Sequence, residues 1–211
     1  TKGVRVIAIS RFIAGHLHQN YGAAREKIRT IHRGVNLDRF DPALVTAERV
    51  TVLAAEEVDR QFHARFSARE RSYLFRILDR RPPPAVDAGR VWWVPVKLDM
   101  AAMHEASQVL LGNHDFSTFR AAECQADGPV KTLDAIEVVQ AKDIWGDEIH
   151  IHVRAKSFLY HQVRNFAGSL KLVGEGKWSV DDFKRAFEAA DRRKGGPTAP
   201  PEGLYFVEVV Y

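Results

Sequence analysis

Apolar and aromatic residues recur at every second position in several stretches of the C-terminal three quarters of the chain. Segment 73–77 (YLFRI) carries them at its first, third and fifth positions, as on the inward face of a half-buried strand. Segments 91–97, 131–140, 148–154 and 203–211 predict further strands. A turn between 131–140 and 148–154 indicates that these two strands form an antiparallel hairpin.

Segments whose apolar residues have helical spacing lie between these strands. Asp99 is a suitable N-cap for a helix that ends near Gly112, and residues 158–173 predict a second helix. Ser179 and Asp182 have the spacing of a capping box at the start of a third. Because antiparallel strands alternate with helices, we expect residues 54–211 to form an α+β domain.

The first 53 residues follow a different pattern. An apolar run at 4–9, a helical stretch at 12–21 and a short strand at 27–32 predict strand, helix and strand in a parallel arrangement. About fifty residues cannot cover both faces of a parallel sheet. We therefore interpret residues 1–53 as an α/β fragment that precedes the domain at 54–211.

Composition narrows the functional classes. The 211 residues are 45% apolar and 27% charged, which is ordinary for a soluble globular protein. There is no apolar run of membrane-spanning length and no signal-peptide pattern, so we expect no membrane partner. Cys124 is the only cysteine, which excludes an internal disulfide framework and favours the cytoplasm.

Charge alone does not identify a polyanion partner for the main domain. The chain has 31 basic and 27 acidic residues, but residues 1–53 hold nine basic and four acidic ones, so the whole excess lies there. Segment 62–81 (FHARFSARERSYLFRILDRR) nevertheless contains six arginines interleaved with aromatics. Arginine forks match phosphates and aromatics stack on unpaired bases, which points to RNA, although a solvated charged face explains the same pattern.

A metal site is the weaker alternative. His150 and His152 share one face of their strand with Arg154. Zinc needs a third and a fourth ligand at suitable spacing, and no second His/Cys pair offers them. We therefore expect no metal site.

Five stretches give a more specific indication. In order along the chain they are FHARFSARERSY at 62–73, LLGNHDFSTFR at 110–120, GPVKTL at 128–133, SFLYHQVRNFAGSL at 157–170 and GPTAPPEGLYFVEVVY at 196–211. Together they resemble the C-terminal part of the tRNA pseudouridine synthase A family. The resemblance implies an α+β domain with an antiparallel sheet, in a cytoplasmic homodimer. It also implies an isomerase that converts uridine to pseudouridine at positions 38–40 of the tRNA anticodon arm, without cofactor.

The resemblance also implies roles for individual residues. Tyr73 would stack on the target uridine after that base leaves its stack. Arg164 would lie beside the catalytic aspartate of the family and hold it ionised. Four more residues are implied as pocket wall or RNA contacts: Phe158, Leu159, Arg65 and Arg71.

One departure from the family is large. The family's catalytic aspartate lies in an Arg-Thr-Asp motif, which occurs nowhere in this sequence; Lys131-Thr132-Leu133-Asp134 is the nearest match and belongs to another block. Residues 4–42 instead resemble the interdomain region of a family 4 glycosyltransferase, a likeness that extends to about residue 53. We therefore expect a chimera, made either by gene fusion or by faulty joining of sequence, that is inactive alone. The alternatives are a non-catalytic RNA-binding or dimerisation module and, less favoured, a glycosyltransferase fragment without its nucleotide-sugar domain.

Overall fold

The computed structural model describes two short strands in the first quarter of the chain and nearly all of the remainder: Val6–Ala8, Ile28–Thr30, residue 58, and residues 60–142 and 146–211. The chain divides into two compact units, Thr1–Ala64 and Arg65–Tyr211. In the first unit, strands β1 (Val6–Ala8) and β2 (Ile28–Thr30) pair in parallel. The predicted parallel pair is confirmed, while the predicted helix at 12–21 lies outside the described residues.

The second unit is built on a five-stranded sheet with β3 at its centre. Its strands are β3 (Glu70–Leu78), β4 (Trp92–Trp93), β7 (Ala135–Ala141), β8 (Glu148–Ala155) and β9 (Leu204–Val210). Strand β8 pairs antiparallel with β3 and β7, β9 pairs antiparallel with β3, and β4 pairs with the end of β3 in parallel. A separate hairpin joins β5 (Gly112–Asp115) to β6 (Val130–Leu133).

Three α-helices accompany the sheet: α1 (Met100–Ser107), α2 (Gln162–Gly174) and α3 (Val180–Glu188). Short 3₁₀ segments lie at Gln108–Leu110, Ser117–Phe119, Arg192–Lys194 and Pro201–Gly203. The predicted α+β fold is confirmed. Among the residues that the structure describes, no helix has both the length and the apolar character needed to span a bilayer.

The alternation in the strands sorts their side chains as predicted. Phe75 and Ile77 are completely buried, whereas His152 and Arg154 on β8 are exposed. Asp99 accepts a hydrogen bond from the Ala102 N–H at the start of α1. At α3, the predicted capping box is present in both directions.

An aromatic core fixes α2 against the rest of the domain. Phe119 contacts Phe166 of α2 edge-on at 4.9 Å between ring centroids, and Phe183 and Phe187 of α3 stack on Phe119 at 5.9 and 5.8 Å. Aromatic pairs at these separations stabilise the core beyond the burial of their area. The aromatic contacts therefore hold α2 and α3 against the 3₁₀ segment Ser117–Phe119.

Candidate functional site

Tyr73 lies on β3 between two neighbouring strands. It is opposite Val153 of β8 and Phe206 of β9, and the register of the β3–β9 pair shifts next to it, between Ser72 and Tyr73. The half-buried Tyr73 ring meets Phe158 edge-on at 5.2 Å and Phe206 at 5.0 Å. Two aromatic neighbours thus fix the orientation of the ring.

A sharp loop leads from β8 into α2 and carries the predicted pocket wall. Phe158 is half-buried and Leu159 is buried, with the Leu159 N–H donating to Gln162 Oε1 at 2.7 Å. His161 has a left-handed backbone (φ 60°) immediately before α2. The predicted helix at 158–173 therefore begins only at Gln162, because this turn interrupts helical geometry.

Arg164 lies in the first turn of α2 and is held on two sides. Its Nε donates to the Ala199 carbonyl at 2.7 Å, and its Nη1 lies 3.1 Å from His161 Nε2. The Ala199 N–H donates back to the Arg164 carbonyl at 3.1 Å. Among the residues that the structure describes, no carboxylate forms an ion pair with Arg164.

The loop that supplies the Ala199 carbonyl is fastened to α2 by Asn165. The buried Asn165 amide donates to the Phe119 carbonyl at 2.8 Å, and its oxygen accepts from Thr198 Oγ1 at 2.7 Å and from Arg192 at 3.2 Å. All of these contacts connect segments distant in sequence. They order the loop before Ala199.

Glycine makes the close approach of this loop possible. A Cβ at Gly168 of α2 would lie 1.7 Å from the Pro197 carbonyl oxygen. The Gly196 N–H donates to Ser169 Oγ at 2.9 Å one residue further along the helix. Helix and loop therefore form one rigid support for Arg164.

The two arginines expected to contact RNA lie before and within β3. Arg71 donates to the Arg65 carbonyl at 2.6 Å and to the Lys156 carbonyl, so its fork joins the segment before β3 to the end of β8. Arg65 is exposed, with its guanidinium 5.5 Å from the ring centroid of Phe66, which is 73% exposed. Arg65 and Arg71 share the end of the sheet that carries Tyr73.

His150 and His152, the candidate metal ligands in the sequence, lie on β8, and His150 bonds to a carboxylate there. His150 donates from Nε2 to Glu148 Oε2 at 3.0 Å, and the rings of His150 and His152 are 5.9 Å apart. Burial, with a contribution from His150, lowers the pKa of His152. Within residues 60–142 and 146–211, no three His, Cys, Asp or Glu side chains are grouped as metal ligands would be.

Sequence reasoning missed an ion-pair cluster around Arg76. Arg76 donates to both carboxylate oxygens of Glu148 at 2.8 and 2.7 Å and to Asp87 at 3.1 Å. Burial raises the pKa of Glu148, but hydrogen bonds from Arg76 and His150 outweigh it, so that the pKa is lowered overall. Glu148 lies diagonally across from Arg76 on β8, a relation that appears only once the register is known.

It also missed the surroundings of Cys124, because no neighbour along the chain distinguishes this cysteine. The Tyr160 N–H donates to Cys124 Sγ at 3.3 Å, and the Ala121 N–H donates to the Tyr160 carbonyl at 3.3 Å. Burial raises the pKa of the Cys124 thiol, but hydrogen bonds from the Tyr160 and Ala126 backbone and from Arg120 lower it by more. The pKa of the thiol is therefore lowered overall. The segment around Cys124 thus supports the loop before α2.

Comparison with known proteins gives two family matches. The family described as tRNA pseudouridine synthase matches residues 106–211, and Glycosyltransferase Family 4 matches residues 2–39. The resemblance to the synthase family is thereby confirmed, and the glycosyltransferase resemblance is confirmed for residues 2–39, while its extension to about residue 53 stays a prediction.

Individual relatives agree with the larger match. The chain is 53% identical to tRNA pseudouridine synthase A of Rhodospirillum rubrum, over 92% of this chain and 64% of that protein. For the proteins of the same name from Sinorhizobium fredii and Paramagnetospirillum magneticum, identity is 56% and 60%, over 79% and 77% of this chain and 66% and 62% of theirs. The aligned stretches are longer than segment 54–211, and the chain spans less than two thirds of the length of these relatives. The chain belongs to the tRNA pseudouridine synthase family.

Proposed function

We propose that this chain is the RNA-facing part of a tRNA pseudouridine synthase, an isomerase that binds the anticodon stem-loop of tRNA. A target uridine, at position 38, 39 or 40, would stack on Tyr73. The observation that carries the proposal is the edge-on contact between Tyr73 and Phe158, because Phe158 belongs to the loop that leads directly to Arg164. A stacking ring and an oriented cation are thus connected through one ordered loop.

The chemistry of these two residues suits a flipped uridine. Stacking of a base on an aromatic side chain contributes about 1–3 kcal/mol and tolerates any base. Arg164 is held by a carbonyl and an imidazole, both neutral acceptors, so its positive charge can hold a neighbouring carboxylate ionised. Phe158 and Leu159 would exclude water from one side of the base.

The same arrangement does not supply the nucleophile. The sequence contains no Arg-Thr-Asp, and the described residues place no carboxylate against Arg164. We therefore expect RNA binding without isomerisation from this chain alone. Arg65 and Arg71 would contribute phosphate contacts, which makes binding weaken as salt rises.

Binding of a fluorescently labelled anticodon stem-loop, followed by anisotropy, tests the proposal. Tyr73→Ala should weaken binding about 5- to 100-fold, the loss of one stacked base, while Tyr73→Phe keeps the ring and should change binding little. Both variants should lose affinity equally with added salt, since neither removes a charge. If the wild-type chain does not bind, or if Tyr73→Ala binds as well as Tyr73→Phe, the proposed role of this site is wrong.

We also propose that the chain is a chimera in which a glycosyltransferase-like segment, predicted at residues 1–53 and matched at 2–39, takes no part in catalysis. The alignment with the Rhodospirillum rubrum protein covers 92% of the chain and therefore extends into residues 1–53. The Glycosyltransferase Family 4 match at residues 2–39 supports the proposed chimera. Sequencing the source DNA from upstream through codons 45–60 tests it, because an unbroken frame across that region is expected for a true fusion. A frame that continues instead into an Arg-Thr-Asp segment would show that the junction is an artefact.

The family resemblance supports a proposal for the oligomeric state of the chain and for its location in the cell. We propose a cytoplasmic homodimer that binds tRNA and has no membrane partner. Light scattering during size-exclusion chromatography should give twice the mass of the 23.8 kDa chain. A strictly monomeric chain at working concentration would contradict the proposed dimer but would leave the proposal for the RNA site unaffected.

A further inference from the structure

The contact between His161 and Arg164 has only one possible polarity. A guanidinium group has five N–H donors and no acceptor, so at 3.1 Å the His161 Nε2 must accept the hydrogen bond from Arg164 Nη1. His161 is then neutral, with its proton on Nδ1. Together with the Ala199 carbonyl on Nε, this bond fixes the guanidinium plane at two of its three nitrogens.

The backbone of His161 is held in a conformation that favours this contact. It is left-handed at φ 60°, which a non-glycine residue adopts at a cost in energy, and the His161 side chain makes no capping hydrogen bond to α2. The Tyr160 ring stacks on the imidazole with centroids 3.8 Å apart and planes 25° apart. The face of the imidazole therefore stacks on Tyr160 and its Nε2 bonds to Arg164. The imidazole does not cap the N-terminus of α2.

The charges around His161 favour the neutral imidazole. Burial and the nearby Arg164 cation lower the pKa of His161, and Glu123, in the segment before β6, opposes them. Within the described residues, Arg164 on α2 and Glu123 are the charged groups that act on the ring. A neutral acceptor beside Arg164 is thus the stable state at neutral pH.

We propose that His161 is the positioning residue for Arg164, which it orients by accepting a hydrogen bond without cancelling the arginine's charge. The inference rests on the proposed function for the role of Arg164, but not for the contact itself. Protonation of His161 occupies the lone pair through which Nε2 accepts the hydrogen bond from Arg164. It also places two cations next to each other. Arg164 should then leave its orientation, and the site should lose its ability to hold a carboxylate as the pH falls.

Nuclear magnetic resonance of the full ¹⁵N-labelled chain without RNA tests the contact. Between about pH 5 and pH 8, the range in which imidazoles titrate, the Arg164 side-chain Nε signal should move with the same midpoint as His161. An Arg164 signal that stays still while His161 titrates would overturn the proposal. Because no RNA is present, failure of the proposed function does not affect this result.

Two variants separate the acceptor from the backbone conformation, since both asparagine and glycine accept a left-handed φ. His161→Asn removes the titrating group and should abolish the pH-dependent movement of the Arg164 signal. His161→Gly removes any side-chain acceptor and should raise the solvent exchange of the Arg164 Nη1–H, which bonds to His161, about fivefold, the equilibrium value of one ordinary hydrogen bond. Persistence of the same titration in His161→Asn, or unchanged exchange in His161→Gly, would show that His161 does not position Arg164.

Discussion

Arg76 and Arg164 are both partly buried arginines, but the structure surrounds them with opposite partners. Arg76, with 16% of its side chain exposed, meets both oxygens of Glu148 and one of Asp87. Arg164 meets the Ala199 carbonyl and the His161 imidazole. Two carboxylates cancel the first charge, whereas in the part of the chain that the structure describes no carboxylate cancels the second.

The difference distinguishes an arginine whose charge is paired within the fold from one for which we propose a role in binding. The hydrogen bond to Glu148 raises the pKa of Arg76 despite burial, and the paired charges join β3 to β8. Neutral acceptors fix the geometry of Arg164 while leaving its charge available. Removing the first arginine should therefore affect stability, and removing the second should affect function.

The largest effect is expected where the support of Arg164 is most tightly packed. Gly168→Ala would place a methyl group 1.7 Å from the Pro197 carbonyl oxygen and force the loop that carries Ala199 away from α2. We expect a loss of about 3 kcal/mol or more in the free energy of unfolding, measured by urea denaturation.

Gly128→Ala is the matched control for this substitution. A Cβ at Gly128 has no neighbour within 4 Å, and its backbone is not left-handed. Its unfolding midpoint should therefore stay at the wild-type value. Equal midpoints for Gly168→Ala and wild type would show that the loop is not packed against α2 as described.

Substituting each of the two arginines in turn tests the comparison itself. Arg76→Met leaves the Glu148 carboxylate, whose side chain is only 5% exposed, without its main partner and should cost about 2–3 kcal/mol. Arg164→Met removes two hydrogen bonds to neutral groups and should cost about 1–2 kcal/mol. Thermal melts of both variants measure the difference.

The double variant Arg76→Met with Glu148→Leu provides the control, because it removes both charges. It should recover much of the stability lost in Arg76→Met. A larger loss in Arg164→Met than in Arg76→Met would reverse the assignment of the two roles.

Acid should break the two contacts in different pH ranges. The pKa of His161 is lowered in the fold, so below about pH 6.5, its ordinary value, the unfolded chain binds more protons and stability falls. The pKa of Glu148 is also lowered, so its contribution is present above about pH 4.5 and is lost below that value.

The contact of Arg164 should therefore fail first as the pH decreases. Melting temperatures taken between about pH 7.5 and pH 4 should show an early decline, which His161→Asn flattens, and a later one, which Glu148→Gln flattens. His152, whose pKa is lowered as well, adds to the early decline in both variants. An early decline that is unchanged in His161→Asn would place its origin elsewhere.

The smallest expected effect lies away from both arginines. Ser179 caps α3 and exchanges hydrogen bonds with Asp182, so Ser179→Ala should cost about 1 kcal/mol. Ser179→Asn keeps an acceptor at the cap without placing a second carboxylate beside Asp182, and it should stay within a few tenths of the wild-type value. Urea denaturation distinguishes the two, and equal losses in both would mean that packing, not capping, sets the cost.

Local patterns predicted the parts of the fold that depend on neighbouring residues. The alternation in β8, the cap at Asp99 and the capping box at Ser179 are all set within a few positions along the chain. The strand expected at 91–97 is reduced to Trp92–Trp93, because Pro95 has no N–H to donate to a ladder. Strand 131–140 is divided at Asp134, whose N–H donates to the Arg154 carbonyl.

Contacts across long sequence separations could not be read from patterns. Residue types at the site followed from family resemblance, but the link from Arg164 to Ala199 joins positions 35 residues apart. The pairing of Arg76 with Glu148 spans 72 residues and depends on the register of two strands. The left-handed turn at His161 could not be predicted from the residue type, since glycine or asparagine usually occupies such a position.

We expect a site that is ordered around Tyr73 and Arg164 and that has no nucleophile from this chain. Measuring pseudouridine formed in an anticodon stem-loop by the purified chain, with stem-loop binding recorded on the same sample, tests this claim most directly. We expect binding with no pseudouridine above background. Turnover comparable to that of a complete synthase, in a sample free of other enzymes, would contradict the claim and require a catalytic carboxylate beside Arg164.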